Sequence, residues 1–279
     1  MSLNVMLHHL VPALAAAGNS EGGEMHQPGP NDFWQPLIHI GGNDNFAITR
    51  PALVALATVA VIGWFFVSTA RSLSVVPSRK QWYAEQAYDF VRNTIGRDVI
   101  GAKDFKPFLP LLLTVFFFIL LNNVVGIIPF VQFPTMSRIA FPLVLALIVY
   151  VVYNVTALKR KHGLIGYLKS LVPPGIPPGI NVLVFVIELA TYLIIRPVTL
   201  ALRLFGNMLA GHMLLLVFFV GAEYLLFESQ GIGMKAAGAV SFAGGVLMTF
   251  FELLVEVLQA FIFTMLTAVY IADAVSDHH

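Results

Sequence analysis

Along the chain, long apolar runs alternate with short polar segments. A hydrocarbon core of about 30 Å takes about 20 apolar residues in a helix. Ala52–Ala70, bounded by Arg50-Pro51 and Arg71, has that length. So do Phe108–Ile128, entered through Pro107 and Pro110 and ended by Pro129, and Ile139–Leu158, closed by Lys159-Arg160-Lys161. Asn181–Gly221 and Ala236–Ala272 are far longer. As helices they would extend about 61 Å and about 56 Å, so each must tilt steeply, bend or break. Pro197 and Gly206 are natural places for the first of them to bend. The pattern predicts an all-α integral membrane protein with about five crossings, the last two long, steeply tilted and antiparallel.

The segments between the runs are mostly connectors. In Lys80–Val99, Trp82, Tyr83, Ala87, Phe90, Val91 and Ile95 fall near one helical face, with Arg92 and Arg97 among the polar positions. This predicts an amphipathic helix lying in the membrane interface, or a helix packed on a partner. Residues 1–50 form an extramembrane tail rich in Gly, Pro, Asn and acids after residue 18, and 51–279 form the membrane domain. The short run Leu10–Ala17 is a poor signal-peptide core, because no Lys or Arg precedes it and Pro12 interrupts it.

Composition fixes the solvent. Of 279 residues, 58% are hydrophobic and 11% charged, against about 25% charged in soluble domains. So few charges cannot cover a water-facing surface, and lipid must bathe most of the chain. The absence of cysteine excludes disulfides, thiol chemistry and a zinc ribbon. No cofactor, metal or nucleic-acid partner is expected, and His8-His9 and His278-His279 read as exposed terminal pairs. The net charge of +1 is uninformative, but its placement is not. Arg71, Arg79, Lys80, Arg92, Arg97, Lys103 and Lys106 fall between the first two crossings, and Lys159, Arg160, Lys161 and Lys169 between the third and fourth. By the positive-inside rule both loops and the C-terminus face the cytoplasm, and the N-terminal tail lies outside.

The charges inside the last two runs carry the chemistry. On a helix with about 100° per residue, Arg196, Thr199, Arg203, Gly206, Asn207 and Ala210 share an arc of about 80°. His212 points nearly opposite Arg203. An intramembrane Arg near a helix end snorkels to the headgroups, a reading open to Arg196. Arg203 is mid-run, where a charge costs about 2.5–3.5 kcal/mol and marks an ion pathway. Gly206 and Ala210 form a small-x-x-x-small pair that admits a close neighbour. In the last run Thr249, Glu252, Glu256, Gln259, Phe263, Thr267 and Tyr270 share a face. Carboxylates there read as a proton relay, or as a Glu–Arg lock between the two helices.

The blocks Arg203-Leu204-Phe205-Gly206-Asn207-Met208, Ala210-Gly211 and Leu258-Gln259-Ala260-Phe261-Ile262-Phe263 resemble the a subunit of the membrane (Fo) sector of F-type ATP synthases. Asn123 and the Gly126–Pro129 turn are also similar to that family, and the overall plan matches from about residue 50 onward. The resemblance implies a non-catalytic stator that offers two proton half-channels to a ring of c subunits, held by peripheral-stalk b subunits. It implies that Arg203 faces the ring carboxylate and separates the half-channels, with Gln259 close to Arg203 and Asn207 on the same contact. His212 and Glu252 would serve the outer half-channel, with their residue types exchanged relative to several bacterial relatives. Glu256 would continue the acidic stripe, and Glu188 stands one residue from a familial carboxylate position. A bacterial plasma (inner) membrane is favoured over a mitochondrial one. The competing readings are an autonomous cation/proton transporter, weakened by the absence of internal repeats, and a non-conducting assembly scaffold.

Overall fold

The computed structural model describes residues 36–39, 47–71, 74, 76–128, 135–161, 163–171 and 178–276. The run Leu10–Ala17, Pro129 and the terminal histidine pairs lie outside the described residues. The five long apolar runs are all helices of spanning length: Ala52–Ala70, Lys106–Ile127, Ala140–Arg160, Ile180–Glu228 and Ile232–Val275. The chain is thus an all-α membrane protein with one small addition. Strands β1 (Pro36–His39) and β2 (Ala47–Thr49) pair antiparallel, with Ile38 opposite Ile48. Strands of four and three residues are too short for hydrophobic periodicity to announce.

Helix α1 (Arg50–Ala70) carries Pro51 in its first turn, where a missing N–H is harmless. Helix α2 (Arg79–Asp89) is capped by the Ser78 hydroxyl, which accepts from the Gln81 N–H at 3.3 Å. It continues as a π-helical stretch, Phe90–Ile100, that stops at Gly101 with φ of 101°. The buried positions Gln81, Ala84, Val91 and Ile95 still share about 80° of arc at a 3.6-residue period. Val91 and Ile95 are buried as expected, but Trp82, Tyr83 and Phe90 are exposed, and Gln81 and Ala84 are buried in their place.

A 3-10 turn, Lys106–Phe108, leads into α3 (Leu109–Ile127), and another, Thr135–Ser137, precedes α4 (Ala140–Arg160). The short α5 (Leu164–Ser170) follows. Then come α6 (Pro178–Ala190), a π turn at Thr191–Ile195, α7 (Arg196–Glu223), a second π turn at Tyr224–Glu228, and α8 (Ile232–Val275). The irregularity expected at Pro197 falls just ahead of it, and the helix runs regularly through Gly206. Proline cannot donate to the carbonyl four residues back and its ring crowds that group. The turn widens to meet this, with the Arg196 N–H bonding Thr191 O.

The fold divides into two bodies. The larger holds Pro51–Leu209 and Leu253–His279. Its core joins Val91 and Ile95, Leu112 and Ile119 of α3, Val149 and Tyr153 of α4, Leu200 and Leu204 of α7, and Phe263 and Ile271 of α8. At one end Arg160 pairs with Asp104, and Asp104, Lys159, Arg160 and Val275 line a cavity of about 340 Å³. This brings both basic loops and the end of α8 to the same end of the body, as five alternating crossings require. The smaller body holds the described residues up to Arg50 together with Ala210–Glu252. Within it the C-terminal part of α7 and the N-terminal part of α8 pack antiparallel on small residues. Ser241 Oγ donates to Phe218 O at 2.9 Å, and a Cβ added at Gly244 would meet the Phe218 ring at 3.1 Å. Helices approach this closely in lipid only where side chains are small.

Candidate functional site

The two polar stripes expected from sequence both exist, and they face differently. On α7, Thr199, Arg203, Asn207 and Ala210 are exposed, while Leu200, Ala201, Leu204 and Met208 on the other side of the helix are buried. Among the described residues Arg203 makes no hydrogen bond or ion pair. On α8, Glu252, Glu256, Gln259, Phe263 and Thr267 are all buried, at 4% exposure or less. Periodicity explains why each set shares a face.

Several expected site residues meet. Asn207 Nδ2 donates to Gln259 Oε1 at 2.8 Å, so Gln259 is bonded one turn from Arg203 and not to Arg203 itself. The amide of Asn123 on α3 donates to the Glu256 backbone carbonyl at 3.3 Å. In the smaller body, His212 Nε2 and Glu252 Oε1 are 3.8 Å apart and both side chains are buried. That exceeds direct hydrogen-bond reach and suits a bridging water. Gly211 makes room for this pair, because a Cβ there would come within 2.9 Å of the Glu252 carboxyl carbon. Glu188, on α6, is half-buried and bonds to no other site residue among those described.

A further cluster was not anticipated. Arg196 Nη2 donates to Asp273 Oδ2 at 2.7 Å, and its guanidinium lies 3.6 Å from the Tyr192 ring centroid and 4.9 Å from that of Tyr270. The Tyr192 hydroxyl donates to the same carboxylate oxygen. Tyr153 Oη donates to the Tyr192 carbonyl at 2.7 Å. Next to them on α5, Tyr167 donates to Asn154 Oδ1 at 2.9 Å, and burial raises its phenol above the ordinary range, so it stays a neutral donor. Asp273 lies one residue past the apolar run that ends at Ala272, where it reads as a tail acid. α8 continues to Val275 and draws it inside. Arg196, open to a snorkelling reading, is instead an internal ion pair.

Five spans, a buried acidic stripe and an exposed intramembrane arginine define a multi-pass helical membrane protein that handles charge within its spans. Residues 52–272 match the family described as ATP synthase A chain. "ATP synthase subunit a" of a Nocardioides species is 43% identical over 277 residues, covering 96% of this chain and 99% of the relative. The proteins of the same name from Pseudarthrobacter chlorophenolicus and Rhodococcus erythropolis are 41% and 42% identical, covering 93% and 92% of this chain and 97% and 93% of their own lengths. The chain belongs to the ATP synthase A chain family. These three relatives are bacterial, which agrees with a multi-pass protein of the bacterial plasma (inner) membrane.

Proposed function

We propose that the chain is the stationary proton-conducting subunit of a rotary ATP synthase, a part of the Fo sector that works in complex with other Fo subunits. Family membership favours this over an autonomous carrier. The observation that carries the mechanism is that Arg203, on the small-residue face of α7, is exposed and has no partner among the described residues. An isolated charge in lipid is costly, so Arg203 calls for an anion on another chain. The carboxylate of a c-subunit ring fits that demand.

In this reading the ring carboxyl must be protonated to face lipid, and Arg203 makes it release its proton by favouring the ionised form. Asn207 and Gln259 hold the polar contact beside it. His212 and Glu252 form the outer proton entry, with Glu256 one turn further along α8 and Glu188 on the preceding helix as additional relay groups. The charge difference between loops places residues 1–50 outside and both basic loops inside, and peripheral-stalk b subunits hold residues 51–279 against rotation. The chain itself catalyses nothing, and each charge crossing supplies about 2.3 kcal/mol per 100 mV. The test is Arg203→Ala in the reconstituted complex. ATP-driven proton pumping should fall to background while the complex assembles normally. Pumping at the wild-type rate in an assembled Arg203→Ala enzyme would overturn the reading.

A further inference from the structure

Arg196 and Arg203 are seven residues apart on one face, about 10 Å along the axis. Only Arg203 presents its charge there. Arg196 is folded back between the Tyr192 and Tyr270 rings onto Asp273, its side chain 16% exposed. The π turn at Thr191–Ile195, pinned by Tyr153, sets the angle at which Arg196 leaves the helix. Such a cage is not a stability device, because a buried ion pair does little better than a well-packed apolar pair of similar volume. What it does achieve is to keep a second guanidinium off the face that Arg203 presents.

We propose that Asp273 is a positioning residue for proton transfer: it holds Arg196 turned into the chain, so that an approaching carboxylate meets the single guanidinium of Arg203. This rests on the function proposed above. A cation within a few ångströms favours the ionised carboxylate. A second one, displaced along α7, would hold the carboxylate ionised after it has left Arg203 and delay its re-protonation. The groups around Arg196 are Tyr192 in its own stretch, Asp273 and Tyr270 on α8, Tyr153 on α4 and Tyr167 on α5, with Lys161 acting on Asp273. Apart from Asp273 and Lys161 these are phenols, so Asp273 supplies the anion that captures Arg196.

The experiment uses the whole complex in vesicles. A carbodiimide, which reacts with the protonated carboxyl, is titrated across pH, with loss of ATP hydrolysis as the readout. Asp273→Asn should move the midpoint of modification down by about one pH unit and slow ATP-driven pumping several-fold. Adding Arg196→Gln should return the midpoint to wild type. A clasp that only supported the fold would lower the yield of complex and leave the midpoint in place. Thr199→Arg places a guanidinium on the same exposed face without touching the clasp, and should give the downward shift even if Asp273→Asn fails to assemble. An unchanged midpoint in Thr199→Arg, or a shift that persists in the double variant, overturns the proposal. Arg203→Ala in the same vesicles separates the two ideas. Pumping there defeats the proposed function, whereas lost pumping with an unmoved Thr199→Arg midpoint defeats the role of Asp273 alone.

Discussion

α7 and α8 each carry a polar stripe through an apolar helix, and they turn it in opposite directions. The α8 stripe, Glu252, Glu256, Gln259 and Thr267, is buried by the chain's own side chains. The α7 stripe, Thr199, Arg203 and Asn207, looks outward, where a lone chain would offer it only lipid. Water would make the second arrangement ordinary, because exposed charge is solvated there. In hydrocarbon the ranking reverses, and a polar group left outside is the costly one. The inward stripe is therefore enclosed by the chain itself, and the outward stripe is a statement about another molecule. Substitutions on α8 should disturb folding and function together, and those on the α7 stripe function alone.

The largest effect that tests this division is Glu252→Ala. Glu252 is buried 3.8 Å from His212, and removing a buried hydrogen-bonding group costs about 1–3 kcal/mol. Unfolding of the purified complex in detergent should shift accordingly, and pumping should be lost. Arg203→Ala should lose pumping with no such shift. If Arg203→Ala proves the destabilised one, the contrast between the stripes is wrong. Exchanging the two residues, His212→Glu with Glu252→His, should restore most of the stability.

How much of this could be read in the sequence depends on which physical quantity each feature needs. Span positions follow from length and hydropathy: four agree within a few residues with the helices found, and the fourth runs on past Gly221 to Glu228. Membership of each stripe follows from helical periodicity, which correctly joined Glu252 to Gln259 and Arg203 to Asn207. The direction a stripe faces is not in the periodicity. It depends on what packs against the helix, and so does the bond between Gln259 and Asn207. Asp273 was missed because one residue past an apolar run reads as water. Which side of Arg79–Ile100 packs inward is likewise outside the periodicity: Gln81 and Ala84 join Val91 and Ile95 against the chain, while Trp82 and Tyr83 face out.

Gln259→Leu tests the seam between the stripes at smaller cost. Its Oε1 accepts from Asn207, but its buried Nε2 has no hydrogen-bond partner among the described residues. Leucine therefore removes one good bond and one unsatisfied donor together, and stability should change by no more than about 1 kcal/mol. Pumping should fall more than that figure suggests, because Asn207 loses the anchor that orients it beside Arg203. A double-mutant cycle with Asn207→Ala should return a coupling of about 0.5–1.5 kcal/mol. A cycle with no coupling would mean that the two side chains act separately.

The finest test uses two glycines on one helix. A methyl added at Gly211 would come 2.9 Å from the Glu252 carboxyl carbon, so Gly211→Ala must push that side chain aside. A methyl added at Gly206 meets nothing within 4 Å. Replacing a helical glycine by alanine favours the helix by about 1 kcal/mol, and at Gly206 nothing among the described residues opposes that gain. Gly206→Ala should leave the isolated chain as stable as wild type or slightly more so, whereas Gly211→Ala should lose stability as the His212–Glu252 pair is displaced. In the complex the order of interest reverses. Gly206 is on the outward stripe beside Arg203, and close approach of a helix to that face depends on small residues. Gly206→Ala should therefore weaken pumping in a chain that folds better, a combination that a lipid-facing surface would not produce. If the Gly206→Ala complex pumps at the wild-type rate, no helix packs tightly at that position and the partner of Arg203 must reach it from further away.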